Sequence, residues 1–151
     1  MEIVYLPNNE HIIGQVASLL YEGFGKNHNN SSPEFYFERL KRNLENDQIP
    51  FTMIALHENK IVGTASTYLK WGDENGGPWF GLLYVMPQYR QRGIAKMLFE
   101  AIRCRCAELD YSIIFLHTPT QEKLYAKWGW KTLKTINLAE KIETIMEFQL
   151  S

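Results

Sequence analysis

The segment Tyr84–Ala95 (YVMPQYRQRGIA) has residue types and spacing that could hold an anion. The apolar run Trp79–Val85 reads as a strand covered on both faces, ending close to Pro87. A tight turn follows, and a helical apolar period begins near Arg92. Helix starts leave backbone N–H groups without intrahelical partners, at the positive end of the helix dipole. An anion is favoured there before any side chain acts. Gly93 has no β-carbon, so a phosphate can approach the backbone closely. Ala95 is small, and Arg90 and Arg92 add positive charge. A diphosphate is the natural guest. Spacing alone leaves an ordinary strand-to-helix turn with exposed arginines open. The segment is not a P-loop, because no Gly-Lys-Ser/Thr follows the required spacer, and it lacks Gly-x-Gly-x-x-Gly. Gly23-Phe24-Gly25-Lys26 resembles a fragment of each but follows a helical pattern, so it reads as a helix stop.

The elements that position this turn follow from periodicity. Met1–Leu6 alternates and ends at Pro7, as a strand does. His11–Tyr21 has one apolar helical face, and Lys26–Ser32 is a polar loop. Ser32-Pro33-Glu34 starts a second helix, with Phe35, Leu40 and Leu44 facing inward. Phe51–Leu56 and Ile61–Leu69 are strands joined by the turn Glu58-Asn59-Lys60. Lys70–Pro78 is a long turn before Trp79–Val85. A helix over Arg92–Leu109, a strand over Tyr111–Leu116 and a short helix over Gln121–Lys127 come next. Trp130–Ile136 and Ile142–Phe148 pair antiparallel. The expected fold class is α/β: a mixed, mostly antiparallel sheet flanked by helices, with one β-α-β crossover.

The totals bound what this fold can be. A chain of 151 residues suits one domain, 1–151, and its 45% hydrophobic content is that of a globular protein. No apolar run approaches the ~20 residues of a membrane helix, and Met1–Leu6 does not read as a secretory signal. Cys104 and Cys106 cannot bridge each other on one helix, so a reducing, cytoplasmic setting is expected. A net charge of −1 gives no reason to expect nucleic acid or an anionic membrane as partner. The four histidines show no metal-ligand spacing.

Val85-Met86-Pro87-Gln88-Tyr89-Arg90-Gln91-Arg92-Gly93-Ile94-Ala95 resembles the cofactor motif of the GNAT acetyltransferases, Gln/Arg-x-x-Gly-x-Gly/Ala. Leu124-Tyr125-Ala126-Lys127-Trp128-Gly129-Trp130 resembles the family's later motif, Leu-Tyr-x-Lys-x-Gly-Phe/Trp. The two stand in the family's order, separated by a helix and a strand, and the element order is similar over nearly the whole chain. The resemblance implies the GNAT acyl-CoA N-acyltransferase fold, with acetyl-CoA (coenzyme A) as cofactor. It implies that amides of Gln91, Arg92, Gly93, Ile94, Ala95 and Lys96, beside Arg90, bind the pyrophosphate. It implies that the backbone of Leu83, Tyr84 and Val85 pairs with the pantetheine arm, in a V-shaped gap between Trp79–Val85 and Tyr111–Leu116. The implied activity is transfer of an acetyl (acyl) group to a primary amine of a small molecule, peptide or protein. An acyl-CoA-binding sensor without transfer activity is the alternative. The protein is expected to be a monomer or homodimer.

Acyl transfer to an amine needs a neutral amine, a donor for the oxyanion and a proton for the leaving thiolate. The resemblance implies Tyr125 for the proton and the Val85 N–H for the oxyanion. A phenol (pKa ~10) can donate near a thiolate (~8.5). Many relatives have a carboxylate on the strand corresponding to Trp79–Val85, where Gly81 and Leu82 stand here. His117, at the expected strand end, is then the leading base, with a hydrogen-bonded structural histidine as the equal reading. Glu22, Asp73 and Glu74 are weaker candidates. Thr118 stands where the family often has Asn, and its hydroxyl could bond to the arm. The acceptor pocket is expected from Tyr21–Asn30, Trp71–Trp79 and the end strands, with Glu22, Phe24, His28, Trp71 and Trp79 in it; a core role for Trp79 is the equal reading, and Trp71 beside Gly72 and Asp73 is the better pointer.

Overall fold

The computed structural model describes residues 1–26, 31–72, 74, 76–139 and 141–150. In order, it forms β1 (Glu2–Tyr5), α1 (Glu10–Leu20), α2 (Pro33–Lys41), β2 (Thr52–His57), β3 (Lys60–Tyr68), β4 (Trp79–Val85), α3 (Ile94–Glu108), β5 (Ile113–Thr118), α4 (Glu122–Lys127), β6 (Lys131–Leu138) and β7 (Lys141–Gln149). The strands make a seven-stranded sheet in the order β1-β2-β3-β4-β5-β7-β6. Every neighbouring pair is antiparallel except β4–β5, as the single crossover requires.

The local chemistry accounts for most boundaries. Asn9 caps α1 by accepting from Ile12 N–H at 3.1 Å, and Ser32 caps α2 by accepting from Phe35 N–H at 3.1 Å. Glu58 (φ 51°) and Asn59 (φ 65°) make the β2–β3 hairpin turn, whose two left-handed residues match the strand twist.

Four expectations shift. The glycines of Gly23-Phe24-Gly25 do not stop the first helix, which continues as a π-helical turn over Tyr21–Gly25. They serve packing: a β-carbon at Gly23 would stand 2.5 Å from Tyr84 Cε1, and one at Gly25 2.7 Å from Tyr36 Cε2. In α2, Tyr36 and Leu40 turn inward, one helical turn apart, while Phe35 is 48% exposed. Gly93, at φ 82°, delays α3 to Ile94. Asp110 (φ 69°) ends that helix by turning the chain back, with Tyr111 N–H donating to Cys106 O at 3.1 Å. β5 therefore starts at Ile113, and His117 and Thr118 lie within the strand rather than beyond it.

Each face of the sheet has its own core. Ile13, Val16, Leu20, Tyr36, Leu40 and Ile54 pack under α1 and α2. Phe80, Leu98, Phe99, Ile102, Leu116 and Met146 pack under α3. Burial of side chains this large contributes about 1.5–3 kcal/mol each. The sheet between the two cores is thereby fixed.

Candidate active site

β4 and β5 pair at one register position only, Trp79 with Phe115. Phe115 N–H donates to Pro78 O at 3.0 Å beside it, and past this point the strands diverge. The cause lies in β4. Between the pairs Ser66–Gly81 and Thr64–Tyr84, one residue of β3 faces two of β4, and Leu82 adopts φ 51°. Such a bulge bends its strand away from the neighbour. Met86 N–H donates to Val62 O at 2.9 Å, toward β3. Polar groups alternate sides along a strand, so those of Val85 face the gap. Val85 O is taken by Arg90 Nε at 2.8 Å. Its N–H remains directed into the opening.

The turn after β4 passes through a 3-10 segment, Pro87–Tyr89, into α3. Gln91 (φ 63°) and Gly93 (φ 82°) are both left-handed. Met97 N–H makes the first helical bond, to Gly93 O at 3.0 Å, so the amides of Ile94, Ala95 and Lys96 have no helical acceptor. A β-carbon at Gly93 would meet nothing within 4 Å, so the approach is open. Successive amides in such a turn form an anion-binding concavity. The guanidinium carbons of Arg90 and Arg92 lie 5.3 and 5.2 Å from the Tyr84 and Tyr89 ring centres.

Tyr125 stands on the α3 side of the gap. Its ring meets Phe80, Trp128 and Trp130 at 6.5, 5.4 and 6.1 Å between centroids. Burial pushes its phenol up to about 12, so it keeps its proton and can donate it. Thr118 Oγ1 accepts from Gln121 N–H at 3.0 Å and Thr120 N–H at 3.4 Å, which anchors the start of α4 and so helps set the position of Tyr125.

His117 stands on the opposite face. Residues alternate along β5, so Ile114 and Leu116 face the α3 core while Phe115 and His117 face away. Trp71 stacks on the His117 ring at 3.9 Å and 13°. The Tyr68 and Trp79 rings flank it at 6.5 and 6.2 Å. His117 Nδ1 lies 3.2 Å from Glu143 Oε1. Burial lowers the His117 pKa below its ordinary value and outweighs the Glu143 carboxylate, which acts the other way. The imidazole is therefore neutral near pH 7.

The family model described as "Acetyltransferase (GNAT) family" matches residues 7–130, most of the chain. The chain belongs to the GNAT acetyltransferase family. An uncharacterized protein of Bacillus subtilis (strain 168), YkzC, is 28% identical over 74 residues, which cover 46% of this GNAT chain and 51% of that protein. The matched stretch thus spans about half the length of that curated relative. Among solved structures, an aminoglycoside 6'-N-acetyltransferase complexed with coenzyme A superposes with TM-score 0.80 at 18% identity, covering 100% of this chain and 98% of that one. A ribosomal-protein-alanine N-acetyltransferase from Brucella melitensis superposes with TM-score 0.81 at 14% identity, covering 99% of each. At such identities the likeness is one of fold.

Acetyl-CoA is the acyl donor of GNAT enzymes, and this chain has what that group needs. The open concavity at Gly93 fits a pyrophosphate, and the gap-facing backbone of Val85 fits an amide-bearing arm. At Ile94 only the backbone faces that turn, because the side chain is buried in the α3 core.

The expected acceptor residues are less uniform. Trp71 and Trp79 gather at His117, but Trp79 is a core residue, 2% exposed. Phe24 meets Tyr84 edge-on at 6.2 Å, on the turn beside β4. Glu22 is an exposed partner of Lys26 at 3.1 Å, and Glu74 pairs with Lys134 at 2.6 Å. His28 and Asp73 lie outside the described residues. Two residues near His117 escaped the sequence reading. Tyr68 fills the space beside Gly81, where a β-carbon would stand 2.9 Å from its hydroxyl. Glu143 is buried, its Oε2 without a partner among the described residues.

Proposed function

We propose that this chain transfers an acetyl group from acetyl-CoA to a primary amine by direct attack in a ternary complex. The observation that carries the reading is the parting of β4 and β5, with a bare-amide turn at the end of β4, a protonated phenol on one face and a neutral imidazole on the other. When bound, acetyl-CoA supplies an activated acyl carbon and a thiolate leaving group. The amides from Gln91 to Lys96, with Arg90 and Arg92 beside them, hold the pyrophosphate. The gap-facing backbone of Leu83 and Val85 orients the arm, while that of Tyr84 between them turns to β3, and the Thr118 hydroxyl keeps one donor to offer it. Val85 N–H donates to the developing oxyanion. Tyr125 would supply a proton to the sulfur, and His117 Nε2 would take the proton of the acceptor nitrogen.

Of the described acceptor-side carboxylates, Glu22 and Glu74 are ion-paired and Glu143 is buried against His117, while the walls are the rings of Phe24, Trp71 and Tyr68. This favours an amine on a partly apolar body, such as a peptide N-terminus, over a polycation. We take residues 1–151 as one cytoplasmic domain, monomeric or homodimeric, without nucleic-acid or membrane partners. The alternative is an acyl-CoA sensor, favoured by the missing side chain at Gly81, whose space Tyr68 occupies.

The test is CoA release from acetyl-CoA with an alanine-started peptide, phenethylamine and kanamycin. Turnover should be fastest on the peptide. Tyr125→Phe should lower kcat by about 10²- to 10⁴-fold and leave CoA thermal stabilisation intact. CoA binding with no turnover on any amine would replace transfer with the sensor reading.

A further inference from the structure

The buried carboxylate of Glu143 is assigned no role by the family motifs, and its place beside His117 gives it one. β7 pairs with β5 so that Ile145 lies opposite His117. Glu143, two residues along the same face, reaches the imidazole diagonally. Its side chain is 4% exposed against 23% for His117, and only Oε1 is engaged. Burying a carboxylate is costly unless it is well partnered, so this glutamate is not explained by stability alone. Trp71 covers one face of the imidazole at 3.9 Å, which fixes the ring plane.

We propose that Glu143 is a positioning residue that holds His117 in the Nδ1–H tautomer, leaving Nε2 bare for the acceptor amine. This rests on His117 being the base of the proposed transfer. An ionised carboxylate can only accept, so Nδ1 carries the proton and donates to Oε1. The charged and titratable groups around the pair are Lys141 on β7, whose Nζ is 3.9 Å from Glu143 Oε1, Arg39 on α2, and Tyr68 on β3. Lys141 places a positive charge beside the Glu143 carboxylate. Lys141 and Arg39 both disfavour a second proton on the imidazole.

Long-range ¹H–¹⁵N correlation spectra of the full chain near pH 8, with His117 assigned by its loss in His117→Gln, read the tautomer without any acceptor. The expected wild-type result is a protonated Nδ1 and a bare Nε2, whereas a protonated Nε2 overturns the proposal. Glu143→Gln can still accept through its amide oxygen, so it should keep the tautomer but move the His117 titration midpoint to lower pH. An unmoved midpoint would show that the carboxylate charge does not reach the ring. Once an acceptor turns over, the acid limb of its kcat/KM profile should move the same way, with KM for acetyl-CoA unchanged. Absence of turnover alongside the Nδ1–H tautomer would overturn the transfer reading alone.

Discussion

Replacing Gly23 by alanine adds a methyl group where the fold has no room for one. The new carbon would stand 2.5 Å from Tyr84 Cε1 and closer still to Cδ1. Carbon contacts are comfortable at about 3.5–4.0 Å, so the ring or the turn must retreat by about 1 Å or more. The ring has little freedom to do so, with Phe24 edge-on at 6.2 Å and the Arg90 guanidinium 5.3 Å away. Overpacking of this kind costs about 1–3 kcal/mol. Gly14 is the control. The same substitution there meets nothing within 4 Å and removes a glycine from the interior of α1. That should stabilise by about 0.5–1 kcal/mol. Gly14→Ala should therefore melt above the wild type and Gly23→Ala below it, at about 2–4 °C per kcal/mol for a chain of this size. The decisive measurement repeats Gly23→Ala in a Tyr84→Ala background, where the penalty should nearly vanish. An equal loss in both backgrounds would refute the steric argument.

Three further outcomes follow from the same geometry. Burial holds the His117 pKa of the folded chain below the ordinary ~6.5. The unfolded chain takes up the extra proton first, so stability is fully present above about pH 6.5 and is lost as pH falls through the folded value. Urea midpoints should show this loss, and His117→Gln should remove it. Cys104 is exposed, while Cys106 is buried with its thiol pushed up to about 12. A thiol reagent near pH ~8 should modify one cysteine in the native chain and two after unfolding. Gly93→Ala forces a left-handed residue at φ 82° and should cost about 1–2 kcal/mol by denaturant titration. It should also shrink the thermal stabilisation by CoA, because its methyl enters the approach to the amides.

The parts of the site written in local chemistry were legible in the sequence. Gly93 and Ala95 follow a strand and open a helix, so the bare amides could be placed by reading along the chain. Tyr125 could be named as a candidate through its motif. The rest depends on which segments meet. Glu143 sits in an alternating strand and looks like a solvent-facing acid until β7 is registered against His117. One chain without its pairing partners does not contain that register. Gly23 and Gly25 were misread for a related reason: a glycine that ends a helix and one that admits a neighbouring ring are alike in sequence. Packing places Trp71 half-buried on the His117 ring and Trp79 in the core.

The bulge at Leu82 has a wider consequence. Bare strand edges usually invite another protein to add itself, and most proteins keep theirs short or charged. Here two such edges face each other inside the molecule, closed at one end by the Trp79–Phe115 contact. Facing edges of this kind suit a slender thread of alternating donors and acceptors better than a folded neighbour. Under the proposed function, the blind end would act as a ruler, stopping every thread at the same depth and leaving its far end to be told apart by whatever it carries.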